Sequence, residues 1–250
     1  MKHLLPRLGL AGGIDRDGSR AAELLATGFG SVEFGTVAPD PEPGRQPGVA
    51  LLAQRLAALG PRLPAAQNSA LIGIGLGLGQ HAELAALGAH WLAGLQAAAP
   101  VADYLSFNLS AAANRCLLGV EHAALLAAAL ATVADARERL VAGGQRRVAL
   151  ALKLPLDGPS PSAAAQMAVA AGFDALIAVL PQRPERLDWL QAWAQRIDTA
   201  AQLVAVGGIR SSADVRAVLD AGASGVQVHG AFAEQGSACL APLLAGLAPA

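Results

Sequence analysis

The feature that most limits what this chain can become is a repeat. Short apolar runs ending in glycine or a polar residue occur at Arg7–Ala11, Ser31–Gly35, Leu71–Gly75, Tyr104–Leu109, Val148–Lys153, Ala175–Val179, Leu203–Gly207 and Gly225–Val228. Between them lie segments with helical periodicity, clearest at Gln80–Ala97, Glu121–Val141, Ser162–Ala171, Glu185–Arg196 and Ser212–Ala221, with a last one near Cys239–Leu247. Strands that alternate with helices pair in parallel, and eight such runs close most simply into a (β/α)₈ barrel of the TIM type. An open doubly wound sheet is the alternative. It usually carries a glycine fingerprint after the first strand and an acidic residue about 20 positions on, and the spacing of Gly12, Gly13 and Gly18 does not match. No linker divides the chain: Pro39, Pro41, Pro43 and Pro47 belong to one loop, as do Pro155, Pro159 and Pro161. Residues 1–250 therefore read as a single barrel domain, long enough to bury ~70% of the unfolded surface.

The first repeat shows the pattern best. Leu8 to Ala11 ends in Gly12 and Gly13, where backbone can approach a ligand closely. A charged turn, Asp15, Arg16 and Asp17, precedes Ser19, placed to cap a helix through Ala22, Leu24 and Leu25 that stops at Gly28. Ser31 to Gly35 then alternates Val32 and Phe34 with Glu33 and Gly35, and Thr36 opens the proline-studded loop.

Net charge is −1 with only 15% charged residues, so there is no basic footprint for nucleic acid. Hydrophobic content reaches 54%, largely through alanine, yet no apolar run attains the ~18 residues of a membrane span. No signal peptide is evident near Lys2 and Arg7, and a cytoplasmic, soluble protein is expected. Cys116 and Cys239 stand far apart without metal-ligand spacing, so neither a disulfide scaffold nor a metal site is expected. Alanine-rich faces such as Ala123–Ala131 suit a homodimer surface, but alanine is also simply a good helix former.

In a barrel of this kind chemistry collects at the carboxyl ends of the strands. Alternation turns Ser106, Asn108 and Ser110 inward on the fourth strand, and Leu105, Phe107 and Leu109 outward against helices. The third strand sets Gly73, Gly75 and Gly77 inward, either as a bend or to leave a wide mouth for a flat ligand. Lys153 ends the fifth strand on the inner face; an ammonium there meets an anionic or electron-rich ligand, or pairs with Glu33 across the barrel. Gly207 and Gly208 after the seventh strand, with Gly230 after the eighth, are placed as a phosphate cradle of backbone amides rather than mere turn glycines. His229 either caps that phosphate, stacks on a ring or packs as a core group.

These residues bring out a likeness to a known family. The chain resembles the dihydroorotate dehydrogenases, FMN-dependent (β/α)₈ barrels of pyrimidine biosynthesis, over most of its length. LGLAGGIDRDG looks like that family's Gly-Leu-Ala-Ala-Gly-x-Asp-Lys-x-Gly, and GFGSVEFGTVAPDPEPG is similar to Gly-Phe-Gly-x-x-Glu-x-Gly-Thr-Val-Thr-Pro-x-Pro-x-Pro-Gly almost throughout. ADYLSFNLSAAAN resembles the strand with Asn-x-Ser and the catalytic base, VALALKLP the strand with the flavin-contacting lysine, and LVAVGGIRSSADV and AGASGVQVHGAF the two phosphate-binding strands. The resemblance implies FMN as cofactor, held by Ala11, Gly12, Gly13, Thr36, Asn108, Lys153, Gly207, Gly208, His229 and Gly230. It assigns catalytic roles to Lys153 and Asn108 and substrate contacts to Arg16, Asn108 and Asn114.

The departures bear on the substrate. The family's serine or cysteine base falls on Ala111, and a methyl group cannot accept a proton. Its Pro-Asn becomes Ala112, Ala113 and a displaced Asn114; its third-strand asparagine falls on Gly75, its sixth-strand Thr-Asn-Thr on Val179, Leu180 and Pro181, and its substrate lysine on Arg16. The orotate-binding Asn-Arg-Met-Gly-Phe has no counterpart around Pro61 to Ser69, although Asn68 is present. The N-terminal helical extension of the quinone-linked class has no counterpart either, in keeping with a soluble protein. Each buried partner left unsatisfied costs roughly 1–3 kcal/mol, so the expected reaction is FMN-dependent oxidation or reduction of a CH–CH bond in a small molecule other than dihydroorotate. Cys116 is a substitute base or a packing residue, and Arg16 and Arg115 are anion ligands or solvated. Two rival readings are a flavin-free phosphate-binding barrel with Lys153 as Schiff-base nucleophile or general base for lyase or isomerase chemistry, and a non-catalytic paralogue kept as a partner subunit.

Overall fold

The structure, a computed structural model, describes residues 5–42, 44, 46–60, 70–79 and 82–247. The strands are β1 (Leu8–Leu10), β2 (Ser31–Val37), β3 (Leu71–Leu76), β4 (Tyr104–Asn108), β5 (Ala149–Pro155), β6 (Ala175–Val179), β7 (Gln202–Val206) and β8 (Gly225–Val228). They pair in parallel in chain order, and β8 pairs with β1 to close the barrel. All of the expected strands are present.

The helices are α1 (Ala21–Leu25), α2 (Val49–Ala57), α3 (Leu87–Ala98), α4 (Ala123–Ala142), α5 (Ala163–Ala170), α6 (Arg186–Ile197), α7 (Ser212–Asp220), α8 (Gly230–Gln235) and α9 (Leu240–Leu244). Helix α2 lies beyond the proline loop, where no helix is expected from the reading above. Its buried residues Val49, Leu52, Ala53 and Leu56 carry the i, i+3, i+4, i+7 signature that identifies it. Ser19 does not cap α1: Arg20 is the N-cap, without a side-chain bond. Asp15 organises that turn instead, its Oδ1 accepting the Asp17 and Gly18 N–H at 3.1 and 2.8 Å and its Oδ2 the Arg20 N–H at 2.9 Å. The expected helix Gln80–Ala97 begins later, with a 3₁₀ turn at Leu84–Ala86 leading into α3; Gln80 itself, like residues 61–69, lies outside the described residues.

Period-two alternation sorts side chains into two apolar regions. Leu105, Phe107 and Leu109 face outward into the layer between sheet and helices, where Phe107 meets Trp91 at 4.8 Å and Phe173 at 5.7 Å between ring centroids. Leu5, Ala11, Tyr104, Ala149, Ala151, Ala175, Ile177, Val204 and Val206 fill the interior. Leu5 belongs to that inner cluster through an anchored backbone, its N–H donating to Gln202 Oε1 at 2.8 Å.

The inward glycines of β3 leave less room than a wide mouth requires. A Cβ at Gly73 would overlap the Tyr104 ring, and one at Gly77 would stand 2.8 Å from Thr36 Cγ2 and 3.3 Å from Asn114 Nδ2. The missing side chains make space for this chain's own Tyr104, Thr36 and Asn114. Only Gly75 has ordinary clearance, 3.4 Å to Thr36 Oγ1.

Candidate active site

Among the described residues, one buried carboxylate, Glu33 of β2, lies on the inner face of the strands, and it gathers donors from three other strands. Lys153 Nζ of β5 donates to Glu33 Oε1 at 3.2 Å, Tyr104 Oη of β4 to Oε2 at 3.4 Å, and Gln227 Nε2 of β8 to Oε2 at 3.1 Å. Gln227 Nε2 also lies 3.1 Å from Tyr104 Oη. Burial first, and then the Glu33 charge, push the Tyr104 hydroxyl well above its ordinary pKa, so it stays a neutral donor. The expected Lys153–Glu33 pair is therefore present; Tyr104 and Gln227 were missed. Their signal was inward parity on β4 and β8, shared with Asn108 and His229.

At the carboxyl end of β4, Asn108 is held on both sides of its amide. Its Nδ2 donates to Thr36 Oγ1 at 2.8 Å, while its Oδ1 accepts from Ser110 N and Oγ at 2.9 and 2.7 Å. Asn114 Nδ2 donates to the Asn108 carbonyl at 2.7 Å. The register pairs Asn108 with Lys153 across β4 and β5, so Thr36, Asn108, Asn114 and Lys153 come together. An amide nitrogen has two hydrogens; the second on Asn108 has no acceptor among the described residues. Buried Asn114 Oδ1, Ser106 Oγ and Gln227 Oε1 have no hydrogen-bond partner among the described residues.

On the other side, Ala11, Gly12 and Gly13 follow β1, and the Ala11 N–H donates to the Val228 carbonyl at 2.8 Å. Here too the glycines admit the chain's own groups: a Cβ at Gly12 would stand 2.8 Å from Glu33 Oε1, and one at Gly13 3.0 Å from His229 Nε2. His229 is the N-cap residue of α8 at the barrel rim. Partial desolvation, then the Lys153 charge, lower its pKa from 6.5 and favour neutral imidazole.

Gly207 and Gly208 adopt positive φ of 107° and 68°, open to glycine at little cost. Among the described residues, neither the Gly208 nor the Gly230 N–H meets a hydrogen-bond acceptor. Two guanidinium groups not singled out from sequence flank these glycines. A Cβ on Gly208 would collide with Arg186 Nη1, and one on Gly230 would stand 3.4 Å from Arg210 Nη2.

Against this geometry the likeness to known proteins is specific. The chain is 31% identical over 275 residues to the dihydroorotate dehydrogenase (quinone) of Methylococcus capsulatus, an alignment spanning 94% of this chain and 81% of the relative. The corresponding protein of Cupriavidus necator is 30% identical over 282 residues, spanning 96% and 82%. The chain belongs to the dihydroorotate dehydrogenase family. A dihydroorotate dehydrogenase structure from Eimeria tenella superimposes with a TM-score of 0.80 at 20% identity, covering 96% of this chain and 83% of that one, which shows the shared fold. No protein-family model matches the chain.

Other candidate positions from the sequence are not drawn into the same cluster. Exposed Arg16 lines a groove of about 580 Å³ with Asp17, Pro41, Glu42 and Leu51, a lining that includes none of Lys153, Asn108 or His229. Arg115 donates from Nε to the Ser110 carbonyl at 3.2 Å, and Cys116 is exposed on the 3₁₀ turn Ala112–Leu118. Leu180 packs in the apolar layer outside the barrel, its N–H bonded to the Val206 carbonyl at 2.7 Å, so the end of β6 offers no side-chain polar group at that position. Among the described residues no cluster of metal-ligating side chains occurs, and no helix is long and apolar enough to cross a membrane.

Proposed function

We propose that this chain is an FMN-binding oxidoreductase that acts on a CH–CH bond of a small molecule other than dihydroorotate. The observation that carries the reading is Lys153, a buried ammonium held 3.2 Å from Glu33 and paired in register with Asn108, in a barrel whose Gly208 and Gly230 N–H groups meet no acceptor among the described residues. The residues fit a phosphorylated, polar, planar cofactor. Gly208 and Gly230 can receive its phosphate, and Lys153, the second Asn108 hydrogen and the unpartnered Asn114 Oδ1 can meet polar edges. FMN, when bound, supplies two-electron hydride chemistry. Lys153 supplies fixed positive charge where negative charge develops, in a site from which water is largely excluded. Thr36 and Ser110 hold Asn108 in one orientation, so it positions substrate without reorganising.

Dihydroorotate is excluded as substrate in this reading by Ala111, which stands one residue beyond Ser110 and has no proton acceptor. The same alanine, with Leu180 buried in apolar packing, favours a second reading: a paralogue that keeps the cradle and has lost catalysis. One experiment addresses both. The purified protein should show a visible flavin spectrum and release stoichiometric FMN on denaturation; a colourless protein that FMN does not reconstitute overturns the cofactor assignment. Anaerobic dihydroorotate should leave the flavin oxidised, and bleaching would overturn the substrate assignment. Bleaching by another CH–CH donor would reject the non-catalytic reading.

A further inference from the structure

Arg186 opens α6 directly after the six residues 180–185 that leave β6, which puts its guanidinium at the carboxyl face of the barrel. It rests against Gly208, where a Cβ would lie 3.6 Å from its Cζ and collide with its Nη1. The side chain is 26% exposed, and its ion-pair contact among the described residues is Asp214 Oδ1, 3.9 Å from Nη2. Asp214 is engaged elsewhere: its Oδ2 accepts the Arg210 and Ser211 N–H groups, each at 3.0 Å, and the Ser211 hydroxyl at 2.8 Å. Arg186 thus presents donors beside a cradle glycine without a hydrogen-bond acceptor among the described residues. Arg210, the neighbouring guanidinium, is committed, bonded through both terminal nitrogens to Glu234 at 2.6 and 2.8 Å.

We propose that Arg186 is the side-chain cation of the phosphate cradle, so that the site takes a phosphomonoester dianion through one guanidinium in addition to backbone N–H groups. A planar fork of N–H donors matches phosphate oxygens and adds charge that backbone amides lack. The inference rests on the cradle reading above and goes beyond it by making a side chain responsible for discrimination between a phosphorylated ligand and its dephosphorylated form. Arg210 contributes little, because Glu234 neutralises it.

The test is a set of dissociation constants for FMN and riboflavin, read by fluorescence quenching, with wild type, Arg186→Ala, Arg186→Lys and Arg210→Ala. Circular dichroism verifies folding, and the effect of inorganic phosphate on melting temperature is measured in parallel. Arg186→Ala should weaken FMN by about 10- to 100-fold, the range of a lost charged hydrogen bond, and leave riboflavin unchanged. Arg186→Lys should keep part of the preference, and Arg210→Ala should change FMN affinity less than about twofold. Equal FMN affinity in wild type and Arg186→Ala would overturn the role of Arg186 while leaving the flavin reading intact. If flavins do not bind but phosphate stabilises wild type and not Arg186→Ala, the Arg186 site stands and free phosphate or another phosphorylated ligand replaces FMN. No response of wild type to either flavin or phosphate overturns both.

Discussion

Lys153 Nζ sits 3.2 Å from Glu33 Oε1, with the two side chains only 9% and 1% exposed. Removing one member of such a pair leaves the other charge buried, at about 3–5 kcal/mol. Lys153→Met and Glu33→Gln should each lower stability in urea denaturation, whereas the double variant should lose distinctly less than the sum. Strict additivity would mean that Tyr104 and Gln227, not Lys153, are what holds Glu33.

Gly73 and Tyr104 are matched in shape. A methyl group at Gly73 would overlap the phenol ring, so Gly73→Ala should destabilise by about 1–3 kcal/mol. Adding Tyr104→Leu should recover part of that loss, although Tyr104→Leu alone is destabilising. An unfolding midpoint for Gly73→Ala equal to wild type would contradict the interior packing described.

His229 should make the protein acid-sensitive. Its folded pKa lies below the ordinary 6.5 through partial desolvation and then Lys153, so between the two values the unfolded chain binds more protons. The stabilisation is complete above about pH 6.5 and is lost as pH falls toward the folded pKa. Melting temperature should drop as pH falls below about 6.5, and drop less in His229→Gln. A variant with the same pH dependence as wild type would rule out His229 as the source.

Stability at the opposite end of the barrel should be separable from the site. Arg137, 4% exposed, donates from Nη1 to Asp174 Oδ2 at 2.7 Å and from Nη2 to the Gly172 carbonyl at 3.1 Å, just before β6 begins. Arg137→Met should cost about 3 kcal/mol, the lower end for a broken buried pair, because Arg147 still meets Asp174 at 2.9 Å. Flavin content of the folded fraction should not change; reduced flavin content would mean that the two ends are coupled.

Much of this was legible in sequence because a strand's period of two is local. The parity that turns Leu105 and Phe107 outward also turns Ser106 and Asn108 inward, and the same rule brings Glu33 and Lys153 to the barrel interior. Glycine pairs after strands mark Gly12–Gly13 and Gly207–Gly208 as places where backbone is approached. Family likeness follows from the same residues, since the loops that follow the strands carry its motifs.

What approaches those glycines was decided by the closed barrel. Parity says that Gly73 and Tyr104 both face inward, but only the stagger of β3 against β4 lays the phenol ring into the space at Gly73. Asn114 reaches the Asn108 carbonyl because the 3₁₀ turn after β4 folds back on the strand, and Arg186 reaches Gly208 because α6 packs beside the β7 loop. The distinction is physical: alternation is set by backbone geometry within one strand, whereas the occupant of a space near the barrel axis depends on strand register and closure, to which all eight strands contribute.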